Sequence, residues 1–248
     1  MQIRFRIRMY KKLRPLLLGI VTVTVYHSLI SLLRVLLYGL SAWKVTGAEY
    51  IPTSGGCVFV ANHVHILDPP LVAASSRQRR LRTMAKRELF RIPLIGWVFK
   101  AYGAIEVRRQ GADFKALRTS MRLLQEGQAV LLFAEGTRSR GGPLRKAQRG
   151  AGLIALRSGL PVIPVSIIGS NISIPRVFVQ WIFRNRPRIE VHFGHPVDLG
   201  GLDPDGEGAA EATERIMRRI AALLPEDLRG PYADTQYPSG QVERDVLS

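Results

Sequence analysis

A single cysteine, Cys57, in a chain of 248 residues excludes an internal disulfide and any cysteine-rich metal site. At the edge of an apolar run it reads as a small core residue, and a reducing compartment is compatible. Histidine is scarce as well: of five, only His63 and His65 are close in sequence, and no second cluster of ligands points to a metal or any other bound cofactor. Acid is missing from the start of the chain, where Glu49 is the first carboxylate. No repeat or low-complexity block is present, and no small-residue cleavage site follows the apolar N-terminal run, which argues against a removed signal peptide.

What is present is basic and apolar. The formal charge of +17 and the pI of about 11.0 point to an anionic partner, which nucleic acid, a membrane surface or a phosphorylated substrate would satisfy. With 46% hydrophobic residues the chain is long enough for one sizeable α/β core and short for two. Arg4, Arg6, Arg8, Lys11, Lys12 and Arg14 form a basic collar. Pro15 to Leu33 then carries no charge, and this length as helix spans roughly 28 Å, close to the hydrocarbon thickness. Arg34 and Lys44 make the second flank basic too, which disfavours a simple crossing with the rest of the chain outside. The expectation is a membrane-associating hairpin of two short helices, broken near Tyr26-His27-Ser28. It would sit monotopically on the cytoplasmic face of the cell membrane through residues 15–40, with a single span as the alternative. Without the collar, Arg34 and Lys44, 28 basic residues face 19 acidic ones, and no recognition helix or stacking motif is visible, so no nucleic-acid partner is expected.

After Gly47, short apolar runs alternate with helical stretches, the pattern of an α/β fold. The expected architecture is one domain with a mostly parallel mixed sheet flanked by helices. Strands are expected at Cys57 to Ala61, Arg82 to Ala85, Ala104 to Arg108, Ala129 to Phe133, Val162 to Ile168 and Arg188 to Phe193. Helices are expected at Pro70 to Ser75, Pro93 to Ala101, Ala112 to Glu126, Lys146 to Ser158 and Glu207 to Leu224. The division is 1–44 for the collar and apolar helices, 45–224 for the domain, and 225–248 for a loose tail rich in Pro, Gly and charge.

The stretch Asn62-His63-Val64-His65-Ile66-Leu67-Asp68-Pro69-Pro70 organises the chain. His63 falls just past the carboxyl end of a buried strand, where open α/β sheets collect ligands. Five residues along a helix would put His63 and Asp68 on different faces, so the pair needs a bend, and Pro69 supplies one. Folded back, Asp68 would orient one imidazole nitrogen and leave the other to take a proton from a hydroxyl. Asp68 before Pro69 is equally a helix N-cap, and His65 also stands within reach of a role as base. Arg109 shares a strand face with Ile105 and Val107, and a guanidinium carried into a cleft there would meet a phosphate; a solvated arginine is the plain alternative. In Phe133-Ala134-Glu135-Gly136-Thr137-Arg138-Ser139, Gly136 permits close backbone approach and Thr137, Arg138 and Ser139 are donors, so the turn suits a phosphate; in the plain alternative Glu135 merely pairs with Arg138. Pro164 within an apolar strand suggests an edge, or a place where a ligand replaces a neighbour. The basic run from Arg77 to Arg82 reads as solvated, or as a partner for a membrane or an acidic carrier.

Four motifs in order resemble the glycerophosphate acyltransferase family, which includes the lysophosphatidate acyltransferases. His63 with Asp68 resembles its His-x4-Asp motif, Gly103 to Arg109 its Gly-x-Ile-x-Val-x-Arg motif, Phe133 to Ser139 its Phe-Pro-Glu-Gly-Thr-Arg-Ser motif, and Val162 to Val165 its Val-Ile-Pro-Val motif. The match runs roughly from residue 45 to 200. The resemblance implies acyl transfer from acyl-CoA or acyl carrier protein to the hydroxyl of a lysophospholipid at the membrane surface, giving phosphatidate when the acceptor is lysophosphatidate. His63 would be the base and Asp68 its orienting acid. Arg109 and Arg138, with Lys146 or Arg149, would hold the acceptor phosphate in a pocket shaped by Glu135 and Gly136, and amides of the turn after His63 are candidate oxyanion donors. Ala134 stands where the family has proline, and Arg108 where lysophosphatidate enzymes often have aspartate. These departures leave room for another acceptor, such as a lyso-ornithine lipid or a glycosylated phospholipid. A non-catalytic membrane-binding scaffold of the same fold is the alternative of a different class.

Overall fold

Apolar runs bounded by polar turns make the strands, and their order decides what meets at the ends. The computed structural model describes residues 2–76, 79–107, 113–171 and 185–234. Among them seven strands form one sheet: β1 (Ala42–Thr46), β2 (Cys57–Ala61), β3 (Leu81–Lys86), β4 (Ile105–Val107), β5 (Ala129–Phe133), β6 (Val162–Ile168) and β7 (Arg188–Phe193), in the order β1-β7-β6-β2-β5-β3-β4. Only the β6–β7 pair is antiparallel. The mixed, mostly parallel sheet expected from the sequence is thus present. β2 is central and every residue in it is buried, as a parallel strand covered on both faces requires.

Alternate residues of β2 feed two cores. Val58 and Val60 pack with α4 (Phe114–Gln125), α5 (Gly150–Ser158) and α6 (Gly206–Ala222), whereas Phe59 and Ala61 pack with α1 (Gln2–Leu40), α2 (Asp68–Ser75) and α3 (Pro93–Tyr102). Burying one such apolar side chain contributes about 1.5–3 kcal/mol, so these two layers dominate the fold's stability.

Several expectations are corrected. The N-terminal hairpin is a single continuous helix, α1. No proline or glycine interrupts residues 20–38, and Tyr26 and Ile30, one turn apart, are both buried against the domain. The Tyr26 hydroxyl accepts the Leu81 N–H at 3.3 Å and the Arg34 Nε donates to the Ala74 carbonyl at 2.8 Å, so a break at 26–28 would undo the docking. β1 was not expected, and it begins before the assumed boundary at residue 45. α5 starts at Gly150 rather than Lys146, because the preceding amides are committed elsewhere: Arg145 to Glu135, Ala147 to the Tyr232 hydroxyl and Gln148 to the Ala134 carbonyl. The start of the supposed loose tail is docked, with Tyr232 buried and the Leu228 carbonyl accepting from Leu144 at 2.8 Å.

Pro164 lies in an internal strand, not at an edge. Its carbonyl accepts the Gly194 N–H at 2.8 Å just beyond the last β6–β7 ladder pair, Val165 with Phe193, so its missing N–H falls where the ladder ends. Within the basic run, Arg79 is not simply solvated. Its guanidinium donates to the carbonyls of Pro52, Gly55 and Gly127 and clamps the loops at the far end of the sheet.

Candidate active site

Ala61 lies opposite Phe133 in the β2–β5 pair, so the residues two positions on, His63 and Glu135, leave the sheet side by side. Their contact follows from that register. Glu135 is buried, and its Oε1 accepts the backbone N–H of His63 at 2.8 Å while Oε2 accepts that of Arg145 at 2.9 Å. Burial raises the Glu135 carboxyl above its ordinary value, against the opposing pull of those two amide hydrogen bonds. No pairing with Arg138 is involved.

The segment from His63 to Asp68 closes on itself. Asp68 is fully buried, and its Oδ2 takes three donors: the His63 Nδ1 at 2.9 Å, the Val64 N–H at 2.6 Å and the His65 N–H at 2.7 Å. Its Oδ1 has no protein partner among the described residues. Asp68 therefore reaches back to the loop before it and does not cap α2, whose first turn contains it. His65 lends the carboxylate a backbone amide, and its Nδ1 accepts only a long 3.4 Å bond from Leu67, so the ring held by the acid is that of His63. The amides of Val64 and His65 are consumed by Asp68, which removes them as oxyanion donors.

Three further contacts hold the histidine. Its ring stacks on Phe133 with centroids 4.1 Å apart and planes at 26°. Its carbonyl accepts the Ser139 N–H at 2.7 Å. One residue earlier, Asn62 donates to the Ile167 carbonyl at 2.9 Å and accepts the Ile167 N–H at 2.7 Å, splinting β2 to β6. The sequence reading passed over these roles of Asn62 and Phe133. The signal for Asn62 was an amide side chain placed directly after an all-apolar strand, where it can imitate a backbone edge. With Nδ1 engaged and the side chain 17% exposed, Nε2 is the nitrogen left for chemistry.

The remaining candidates surround this frame. Gly136 has φ +66°, and a side chain there would press on Gln148. Thr137, Arg138 and Ser139 are partly exposed on the same turn, and the Arg138 guanidinium has no ion-pair partner among the described residues. Lys146 is exposed on the strap that returns to Glu135, while Arg149 heads α5 with its Nη1 near Gly206 at the start of α6. β4 ends at Val107, at the same end of the sheet as His63; Arg108 and Arg109 lie outside the described residues.

The acyltransferase family profile matches residues 42–168. Over 161 residues the chain is 30% identical to the chloroplastic 1-acyl-sn-glycerol-3-phosphate acyltransferase BAT2 of Brassica napus, covering 62% of this chain and 46% of that protein. Over 195 residues it is 29% identical to the 1-acyl-sn-glycerol-3-phosphate acyltransferase of Bacillus subtilis, covering 77% and 92%. The solved structure of the 1-acyl-sn-glycerophosphate acyltransferase PlsC from Thermotoga maritima aligns with a TM-score of 0.58 at 25% identity, covering 83% of this chain and 93% of that one. The chain spans about half the length of the first curated relatives it matches. A profile that takes in half of the sequence, together with a shared fold, shows that the chain belongs to the acyltransferase family.

Proposed function

We propose that the chain is an O-acyltransferase that moves a fatty acyl group from a thioester donor, acyl-CoA or acyl carrier protein, to the free hydroxyl of lysophosphatidate. The observation that carries this reading is the buried Asp68 carboxylate fixed 2.9 Å from the His63 Nδ1. With Nδ1 donating to Asp68, Nε2 accepts the proton of the acceptor hydroxyl as its oxygen attacks the thioester carbonyl. The tetrahedral oxyanion collapses, the thiolate leaves, and the proton on Nε2 passes to the departing sulfur. No covalent acyl-enzyme is required. Arg138 stands on the turn whose Ser139 N–H binds the His63 carbonyl and would receive the acceptor phosphate, and Glu135 positions the base through its backbone. The names of the relatives support lysophosphatidate as the acceptor.

The support for a monotopic membrane seat is the two-sidedness of α1. Its C-terminal half docks on the domain through Tyr26 and Ile30, so these residues cannot also be ringed by lipid, while Leu32, Val35 and Leu36 on the other side are exposed. That apolar stripe suits the headgroup boundary, and the basic residues 4–14 suit anionic lipid on the cytoplasmic face. Ile66 and Leu67, in the catalytic loop itself, are also about half exposed, which brings the dyad to the surface where lysolipid arrives.

The test is acceptor-dependent thiol release by purified protein in detergent, with His63→Ala beside it. Release that requires lysophosphatidate and is lost in the variant is the expected result. Silence with both donor types across a panel of lysolipids would leave a non-catalytic scaffold as the better account.

A further inference from the structure

The acid of the dyad sits on a turn that is closed upon itself. From Asp68 to Leu71 only Asp68 and Leu71 have a backbone N–H, since Pro69 and Pro70 lack one. That of Asp68 goes to the His65 carbonyl at 3.2 Å and that of Leu71 to the Leu67 carbonyl at 3.0 Å, so both return to the loop they came from. The Asp68 carboxylate does the same through Oδ2. A loop that satisfies its own donors can tilt as a body. At its beginning the Glu135 carboxylate and the Ser139 N–H grip His63, so the end that carries the acid needs a hold from another element.

That element is α3. The hydroxyl of Tyr102, its last residue, donates to the Pro69 carbonyl at 3.2 Å, one residue beyond the acid. The backbone of Tyr102 is itself fixed, because the next two amides, Gly103 and Ala104, turn back to the Lys100 and Phe99 carbonyls at 3.0 and 2.9 Å and close the helix. Its ring is buried in the same core cluster as Leu71 and Val72 of α2, and the ring of Tyr26 on α1 backs it with centroids 5.1 Å apart and planes at 49°. Burial holds the Tyr102 hydroxyl well above its ordinary value, so it stays a donor throughout the neutral range. At the other end of α2 the Arg34 Nε holds the Ala74 carbonyl at 2.8 Å. The helix that begins with the acid is thus gripped from outside at both ends.

We propose that Tyr102 is a positioning residue for acyl transfer: through the Pro69 carbonyl its hydroxyl sets the tilt of the first turn of α2, and so keeps the Asp68 carboxylate on the His63 Nδ1. The inference rests on the reading of His63 and Asp68 as base and orienting acid, and it extends that site to a residue that acts only through the acid. Loss of the hydroxyl would let the turn tilt and the 2.9 Å contact lengthen, while the buried ring and Arg34 keep α2 in place. A misplacement of about 1 Å can cost on the order of 10² in rate, so even a partial release is readable in kcat.

The test variant is Tyr102→Phe in the full-length protein in detergent, which keeps the ring and removes the donor. It is expected to lower the kcat of thiol release at least about threefold, with KM for the donor and for lysophosphatidate unchanged. The amides of Val64 and His65, which donate to Asp68, are expected to exchange hydrogen faster by a similar factor, and those of β2 to change less. In the Asp68→Asn background the same substitution should lower kcat no further, because a residue that acts through the acid has nothing left to position. Ser75→Ala removes a different buried hydroxyl of α2, the one bonded to the Leu71 carbonyl at 2.9 Å, and is expected to leave kcat and the exchange of Val64 and His65 as in wild type. A smaller loss in Tyr102→Phe, an equal loss in Ser75→Ala, a loss that multiplies with that of Asp68→Asn, or unchanged exchange at Val64 and His65 overturns the proposal. Wild type that releases no thiol with any donor, or a fully active Asp68→Asn, would instead overturn the reading of the dyad, and exchange in Tyr102→Phe then decides alone whether Tyr102 holds the turn of the acid.

Discussion

Glu135 holds His63 by its backbone: one carboxylate oxygen receives the histidine N–H at 2.8 Å and the other ties down Arg145 at 2.9 Å. Glu135→Gln keeps one acceptor and turns an NH2 group toward the second amide. A buried donor left unsatisfied costs about 1–3 kcal/mol, and kcat is expected to fall with it. The pH dependence has a definite sign. Because the folded carboxyl is raised by burial, its contribution to stability is full below the ordinary carboxylate value and is lost as pH rises through the raised one. Denaturation midpoints of wild type and Glu135→Gln, compared from about pH 4 to 7, should show the wild-type advantage shrinking as pH increases. An advantage that grows over that range would contradict the burial argument.

Asp68→Asn separates positioning from folding. The amide oxygen can still accept from Val64 and His65, but the negative charge beside the imidazole is gone. Thiol release is expected to drop by about 10² or more. Thermal unfolding in the same detergent should move far less than it does in Asp68→Ala, where three donors lose their acceptor.

Gly136→Ala places a Cβ at φ +66° and against Gln148. The left-handed conformation alone costs about 1–2 kcal/mol. Chemical denaturation of the double variant with Gln148→Ala should recover the contact component and not the backbone one.

On α1, Leu32→Glu with Val35→Glu alters the side opposite Tyr26, where Val35 is 68% exposed. Sedimentation with anionic vesicles is expected to show weakened binding. Stability should change by no more than about 0.5 kcal/mol, since neither residue touches the domain core.

Cys57 is fully buried, and burial pushes its thiol up to about 11. A thiol-specific dye should leave the native protein unmodified and react fully once it is unfolded, which also keeps the thiol-release assay free of background from the enzyme. Rapid labelling of native protein would show that β2 is not sealed.

Which parts of this were legible in the chain follows from where the information is stored. β2, β5, β6 and β7 could be read to the residue because each is an apolar or alternating run ended by a polar turn. β1 had the same alternation, Trp43 and Val45 against Lys44 and Thr46, but five residues after a long apolar helix were absorbed into it. The start of α5 was misplaced because amides that look helical in sequence are spent on Glu135, Ala134 and Tyr232. The dyad was visible in a spacing of five and a proline. Its fixation was not, since strand order alone places Ala61 against Phe133 and so Glu135 beside His63.

The closed loop on Asp68 also sets an order of assembly. Its contacts span five residues or fewer, so they form with little loss of chain entropy, whereas the Glu135 and Ile167 contacts that aim the loop join residues 72 and 105 apart. During refolding the histidine meets its acid early and meets its supports last, so hydrogen-exchange protection at Val64 should precede recovery of activity by the whole time needed to close the sheet.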